Sequence, residues 1–230
     1  MFSAAAQGFD FTNKLNIFIA LAPVSYISHI KSPEVQILAK TNLPAQLMKK
    51  GYYEIFGNPR GNHIGESLLC SQKDKLCDIA LMTFLGPSLN VNVTRLEVYL
   101  SQTPAGTSVR NLDHFRQLVL NGKYCKYDWG SPEKNIEKYG TATPPDYDLS
   151  KINIPVALLS GSNDWLGDPK DLEILKAVLP ASTIVYELNV KDMAHLDFVW
   201  GIGESIQDVT YANVVKLLTQ YNSDNNKHSI

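Results

Sequence analysis

The run Asn16–Ala22, NIFIALA, is apolar after its first residue and stops at Pro23. It is short and does not alternate, which predicts a strand buried on both faces of a parallel sheet. Two similar runs come late in the chain. Ile154–Leu159 predicts a second buried strand, with Pro155 near its start, where a lost donor matters least. Thr183–Leu188 predicts a third. Around these runs the period changes. Pro169–Leu179 reads as a helix, with Asp168 as its N-cap and Pro169 at its first position. Ile206–Tyr221 reads as a final amphipathic helix carrying Ile206, Val209, Val214, Leu217 and Leu218. Met1–Gln7 is a short helical stretch closed by Gly8.

From about Ser25 to Tyr147 the pattern differs. Pro33–Tyr53 alternates apolar and basic residues at helical spacing, Leu76–Leu85 is strongly apolar, and Asn111–Leu120 is helical in period. Loops such as GNPRGNHIG and YGTATPPDYD separate them. The expectation is a mainly helical insertion, residues 25–150, between a first core segment, 1–24, and a second, 151–221; the polar tail, 222–230, should be disordered. The strand–loop–helix order at the end implies right-handed crossovers and a doubly wound parallel α/β sheet. In such sheets function sits in the loops beyond the carboxyl ends of the strands. Two loops qualify: SGSNDWLGD after the second strand and NVKDMAHLDF after the third.

Composition excludes several classes. The 230 residues are 44% hydrophobic and 19% charged, a globular balance, and their formal charge of −2 gives no electrostatic case for a nucleic-acid partner. No apolar run approaches the length of a transmembrane segment. There is no basic, apolar leader at the start, so the chain as given would stay in the cytosol. Cys70, Cys77 and Cys125 are an odd set. Cys70 and Cys77 are close enough in sequence for a local disulfide, and three ordinary buried thiols is the blander alternative. Asn92-Val93-Thr94 is a glycosylation sequon. Neither HxxxH nor CxxC spacing occurs, so no metal and no cofactor is expected.

Asp164 and His195 are the candidate chemistry. Each lies just past a predicted strand, and a right-handed crossover between those strands makes them neighbours on one rim. A carboxylate that accepts from one imidazole nitrogen fixes the tautomer, and the other nitrogen can then take a proton from a nucleophile. Acid followed by histidine is also the order in which α/β-hydrolases complete a triad. The alternative is structural: Asp164 capping a turn and His195 flanking a helix. His29, His63, His114 and His228 lack such placement and read as surface or structural. A nucleophile elbow, G-x-S-x-G, is absent. Gly86-Pro87-Ser88-Leu89-Asn90 and the segment around Ser205 both fail the pattern, and no HGG segment offers an oxyanion hole.

Five blocks resemble the acid lipases, the gastric and lysosomal lipases of the α/β-hydrolase fold. They are NIFIALAPV, TPAGTSVRN, YDWGS, SGSNDWLGD and HLDFVWG, in the family's order from Met1 to about Tyr221. The resemblance implies that this is the C-terminal part of an α/β-hydrolase, that Asp164 is the triad acid and His195 the base, and that the helical insertion is a cap receiving acyl chains. It implies a glycan at Asn92 and places Cys77, with Cys70, near the family's cap disulfide, while Cys125 has no assigned role. It further implies a secreted or lysosomal destination and hydrolysis of a neutral lipid ester, triacylglycerol or sterol ester, at a lipid–water interface. In such relatives the nucleophilic serine precedes a helix like Met1–Gln7. The resemblance therefore puts the serine, the oxyanion donors, the signal peptide and the first strands outside this sequence. A catalytically inactive protein that binds lipid or a partner through the cap is the alternative.

Overall fold

The computed structural model describes residues 1–55, 76–100, 103 and 105–225, with only the backbone described at 76–78, 80, 97, 224 and 225. Helix α1 (Phe2–Ala6) and a 3₁₀ turn (Asp10–Lys14) lead into β1 (Phe18–Leu21). The insertion follows. It contains α2 (Pro33–Lys40), α3 (Leu43–Lys49), the two-residue strand β2 (Glu54–Ile55), α4 (Leu76–Leu85), α5 (Leu96–Leu100), the two-residue strand β3 (Thr107–Ser108), α6 (Val109–Asn121) and α7 (Pro132–Tyr139). The α/β pattern then resumes with β4 (Val156–Gly161), α8 (Pro169–Val178), β5 (Ile184–Val190) and α9 (Asp197–Trp200). A π-helical segment (Ser205–Tyr211) runs into α10 (Ala212–Asn225). No described helix is long and apolar enough to cross a membrane.

The sheet is parallel, in the order β1-β4-β5. Its centre is β4, every residue of which is buried. Side chains alternate across a strand, so Val156 and Leu158 enter one core with Phe2, Ala20 and Leu175, while Ala157 and Leu159 enter another with Met193, Phe198 and Ile206. The two cores are the two helical layers expected on either side of a doubly wound sheet.

The outer strands are less buried than the sequence suggests. In β1 only Ala20 is fully buried and Leu21 is exposed. Both faces of β1 are covered in part, Phe18 and Ala20 packing into one core and Ile17 and Ile19 into the other, and its outer edge has no strand partner among the described residues. Strand β5 alternates between half-buried and exposed positions, with Glu187 reaching back to Lys176 of α8.

The insertion is mainly helical, but it also holds the antiparallel pair β2–β3. The single helix suggested over Pro33–Tyr53 divides in two, with Pro44 near the start of α3. Helix α7 falls where no helix was expected. Ser131 caps it through the Lys134 N–H, Pro132 opens it, and Gly140 ends it at φ +76°. A buried network fixes this part of the insertion. Asp113 accepts from Arg116, Gln117 and the Tyr127 hydroxyl, and Asn135 accepts from Trp129 N and donates to Asp128. Burial, the hydrogen bond to Asp113 and its charge push the Tyr127 phenol far above its ordinary range. The YDWGS block is therefore an organising element of the insertion.

Cys125 is buried in a small core of the insertion with Ile27 and Leu118. Burial pushes its thiol up, so it is an inert packed group. Cys70 and the side chain of Cys77 lie outside the described residues. The last helix departs from expectation at both ends. Its first two turns are π-wound, and the buried Thr210 donates its hydroxyl to the Ser205 carbonyl at 2.7 Å, inserting a side chain into the backbone ladder. Its far end continues to Asn225, into the stretch expected to be disordered.

Candidate active site

The loops leaving β4 and β5 are joined before any side chain of interest is reached. Ser162 N and Asn163 N donate to the carbonyls of Val190 and Met193 at 3.0 and 2.9 Å, and Asp192 N donates to Ser162 Oγ at 2.8 Å. The join requires a glycine at the end of β4, since a Cβ on Gly161 would lie 2.2 Å from the Met193 carbonyl oxygen. Asp192 takes the left-handed conformation at φ +59°, which Asp tolerates better than most residues.

On this base the two candidate residues meet. Asp164 Oδ2 lies 2.9 Å from His195 Nδ1. Asp164 Oδ1 accepts from Leu166 N at 2.9 Å and Gly167 N at 2.7 Å, so both carboxylate oxygens are engaged. The Asp164 side chain is fully buried, whereas His195 keeps 21% of its side-chain surface. An ionised Asp164 can only accept, which puts the proton on Nδ1 and leaves Nε2 as a base.

His195 borders a cavity of about 440 Å³ between the sheet and the inserted helices. Its other walls are mostly apolar and include Val24 and Ile30 between β1 and α2, Val35 and Leu38 of α2, Phe84 of α4, Leu112 and Phe115 of α6, and Leu166 from the loop that carries Asp164. A volume of this size lies within the range of small-ligand sites. The Glu34 carboxyl stands at its edge. Desolvation alone would raise it, but hydrogen bonds from Thr83, from its own backbone and from Ser32 outweigh that and hold it below the ordinary carboxylate range.

The serines near the pair are engaged otherwise. Ser88 donates to Asp197 Oδ1 at 2.5 Å and accepts from Asn90 N and Val91 N, so the Gly86–Asn90 segment is a loop. Ser205 starts the π-helical segment. Asn92 accepts from Thr94 N and Thr94 Oγ1 at the head of a 3₁₀ turn. Two contributors were not singled out from the sequence. One is the cavity wall, which is assembled from distant helices. The other is Asp197, fully buried two residues after His195; an acidic residue inside the otherwise apolar stretch HLDFVW was its signal.

A family model described as alpha/beta hydrolase fold matches residues 36–202. The chain is 37% identical over 216 residues to the gastric triacylglycerol lipase of Mus musculus, covering 90% of this chain and 52% of the relative. It is 33% identical over 232 residues to the lysosomal acid lipase/cholesteryl ester hydrolase of Rattus norvegicus, covering 96% and 55%. The chain thus spans about half the length of these curated relatives. Among solved structures, a monoglyceride lipase from Saccharomyces cerevisiae superposes with a TM-score of 0.53 at 17% identity, covering 96% of this chain and 58% of that one, which speaks to the fold alone.

Proposed function

Because the chain belongs to the alpha/beta hydrolase fold family, we propose that it is the part of a neutral-lipid esterase that holds the triad's acid and base and the cap above them. The observation that carries this reading is the 2.9 Å contact between buried Asp164 and the Nδ1 of His195, whose ring opens on an apolar cavity. In the proposed reaction His195 Nε2 takes the proton of an attacking serine hydroxyl and later returns it to the leaving alkoxide, while Asp164 holds the tautomer and stabilises the imidazolium. The nucleophile of this reading is a serine outside these 230 residues, since none here has the G-x-S-x-G setting.

The substrate class follows from the cavity and the relatives together. Apolar walls suit an acyl chain, and the relatives are named for triacylglycerol and cholesteryl ester. A neutral lipid ester presented at a lipid–water interface fits both. A secretory or lysosomal route, with a glycan on Asn92, completes the reading.

The test is a chimera in which the N-terminal part of the mouse relative precedes Met1. Hydrolysis of a nitrophenyl ester is expected, and His195→Ala should remove it. The 230-residue chain alone should show no turnover above background, because an acid–base pair without nucleophile or oxyanion donors has nothing to activate. A chimera equally active with His195→Ala would sink the proposal.

A further inference from the structure

Between α4 and the 3₁₀ turn at Val93 the cap sends one segment, Leu85–Asn90, across the two loops that bear Asp164 and His195. The Leu85 carbonyl accepts from both loops at once, from Trp165 N at 3.2 Å and His195 N at 3.4 Å. The Pro87 carbonyl accepts from Asn163 Nδ2 at 3.2 Å. Gly86 presses on the acid loop so closely that a Cβ would sit 1.9 Å from the Asn163 carbonyl oxygen, and its φ of +105° independently excludes other residues. Asn90 donates to the Asp192 carbonyl at 3.1 Å and accepts from Ile202 N at 2.9 Å.

The anchor of this segment is Asp197. Its carboxylate is fully buried and takes part in no ion pair among the described residues. Its oxygens accept from Ser88 Oγ at 2.5 Å, Asn90 Nδ2 at 2.9 Å and Ala194 N at 2.8 Å. Two donors come from the strap and one from the residue before His195. A buried carboxylate is tolerated only while its hydrogen bonds are made. Lifting the strap would strip Asp197 of two donors, so strap and base loop hold each other in place.

We propose that the Leu85–Asn90 strap positions the Asp164–His195 pair, and that Asp197 is the positioning residue that locks it. Asp197 acts through the backbone on either side of His195 and does not touch the reacting atoms. Cap and pair are thereby one mechanical unit: the helix that lines the cavity with Phe84 ends in the carbonyl that holds both loops. The inference rests on Asp164 and His195 being acid and base, and its test separates the two.

The readout is the hydrogen-bonded Nδ1 proton of His195 in the 230-residue chain, followed by NMR and assigned by its loss in His195→Ala. Asp164→Ala should abolish it. Asp197→Asn, and more mildly Asn90→Ala, should speed its exchange with solvent by about tenfold, the scale set by losing one hydrogen bond to a charged group. Asp113→Asn disturbs another buried carboxylate, away from the strap, and should lower the melting temperature without changing that exchange. If Asp197→Asn fails to fold, Asn90→Ala decides. Unchanged exchange in the strap variants, with the proton still lost in Asp164→Ala, overturns the positioning role and leaves the pair intact. A proton that survives Asp164→Ala, or an unbonded Nδ1 in the parent chain, overturns both.

Discussion

Among the described residues two buried aspartates are bonded to histidine Nδ1 atoms, and the two pairs stand in different settings. Asp164 meets His195 at 2.9 Å, and Asp171 meets His29 at 2.8 Å. Asp171 is as buried as a catalytic acid, with 2% of its side chain exposed, and it also accepts from Ser28 Oγ and His29 N. It lies in the first turn of α8, and His29 lies where the chain enters the cap. The second pair therefore ties the root of the cap to the core, and Lys31 repeats the tie on buried Asp168 at 2.7 Å. Its imidazole is 42% exposed. The Asp–His contact by itself identifies nothing. What separates the pairs is that one stands where two adjacent parallel strands end, with an apolar cavity against its ring.

The contrast can be broken most severely by kinetics. In the active chimera, Asp164→Asn should reduce kcat by about 10⁴-fold, because the wrong tautomer is then favoured. Asp171→Asn should leave turnover within a few-fold of the parent, measured as initial rates on a short-chain nitrophenyl ester. Equal losses in both would erase the distinction. In stability the ranking should invert. Asp171→Ala removes two hydrogen bonds to a buried carboxylate, from the Ser28 hydroxyl and the His29 N–H, at a cost on the order of 2 kcal/mol once water replaces them at these exposed residues, readable as a shift in the urea midpoint. His29→Ala keeps the backbone half of that arrangement and removes only a half-exposed ring, so it should cost less than about 1 kcal/mol. The smallest expected effect sharpens the comparison by accessibility. Diethyl pyrocarbonate, mapped by peptide mass, should modify His29 before His195, since the latter keeps half as much exposed surface.

The sequence shows the core and its rim because both are local. Val156–Leu159 is apolar without interruption, and the positions of Asp164 and His195 follow from strand ends and one crossover rule. The cap is less legible for physical reasons that vary by place. Helix α7 carries a Ser-Pro start and a Gly stop, but its polar interior, PEKNIEKY, lacks the broad apolar stripe that marks a helix in a sequence. The π-winding of Ser205–Tyr211 depends on Thr210 reaching the Ser205 carbonyl, a contact that no periodicity records. The exposure of Leu21 depends on what lies beside β1, which the strand's own residues do not encode. The strap and Asp197 are the extreme case. Their meaning is a set of contacts between Leu85–Asn90 and residues far along the chain, and only the folded backbone brings them together.

The pairing of β1 with β4 also sets a timetable. Phe18 is bonded in register with Val156, and the whole cap lies between them in the chain. Closing so long a loop must precede any reward from the strand contacts. On a ribosome adding about 5–20 residues per second, β1 emerges on the order of ten seconds before its partner. During that interval the cap's own helices and its Asp113 network can form from neighbouring residues. The expected order of assembly is cap first, sheet second, and the Asp164–His195 pair last, when the loops beyond β4 and β5 finally meet and dock on the strap.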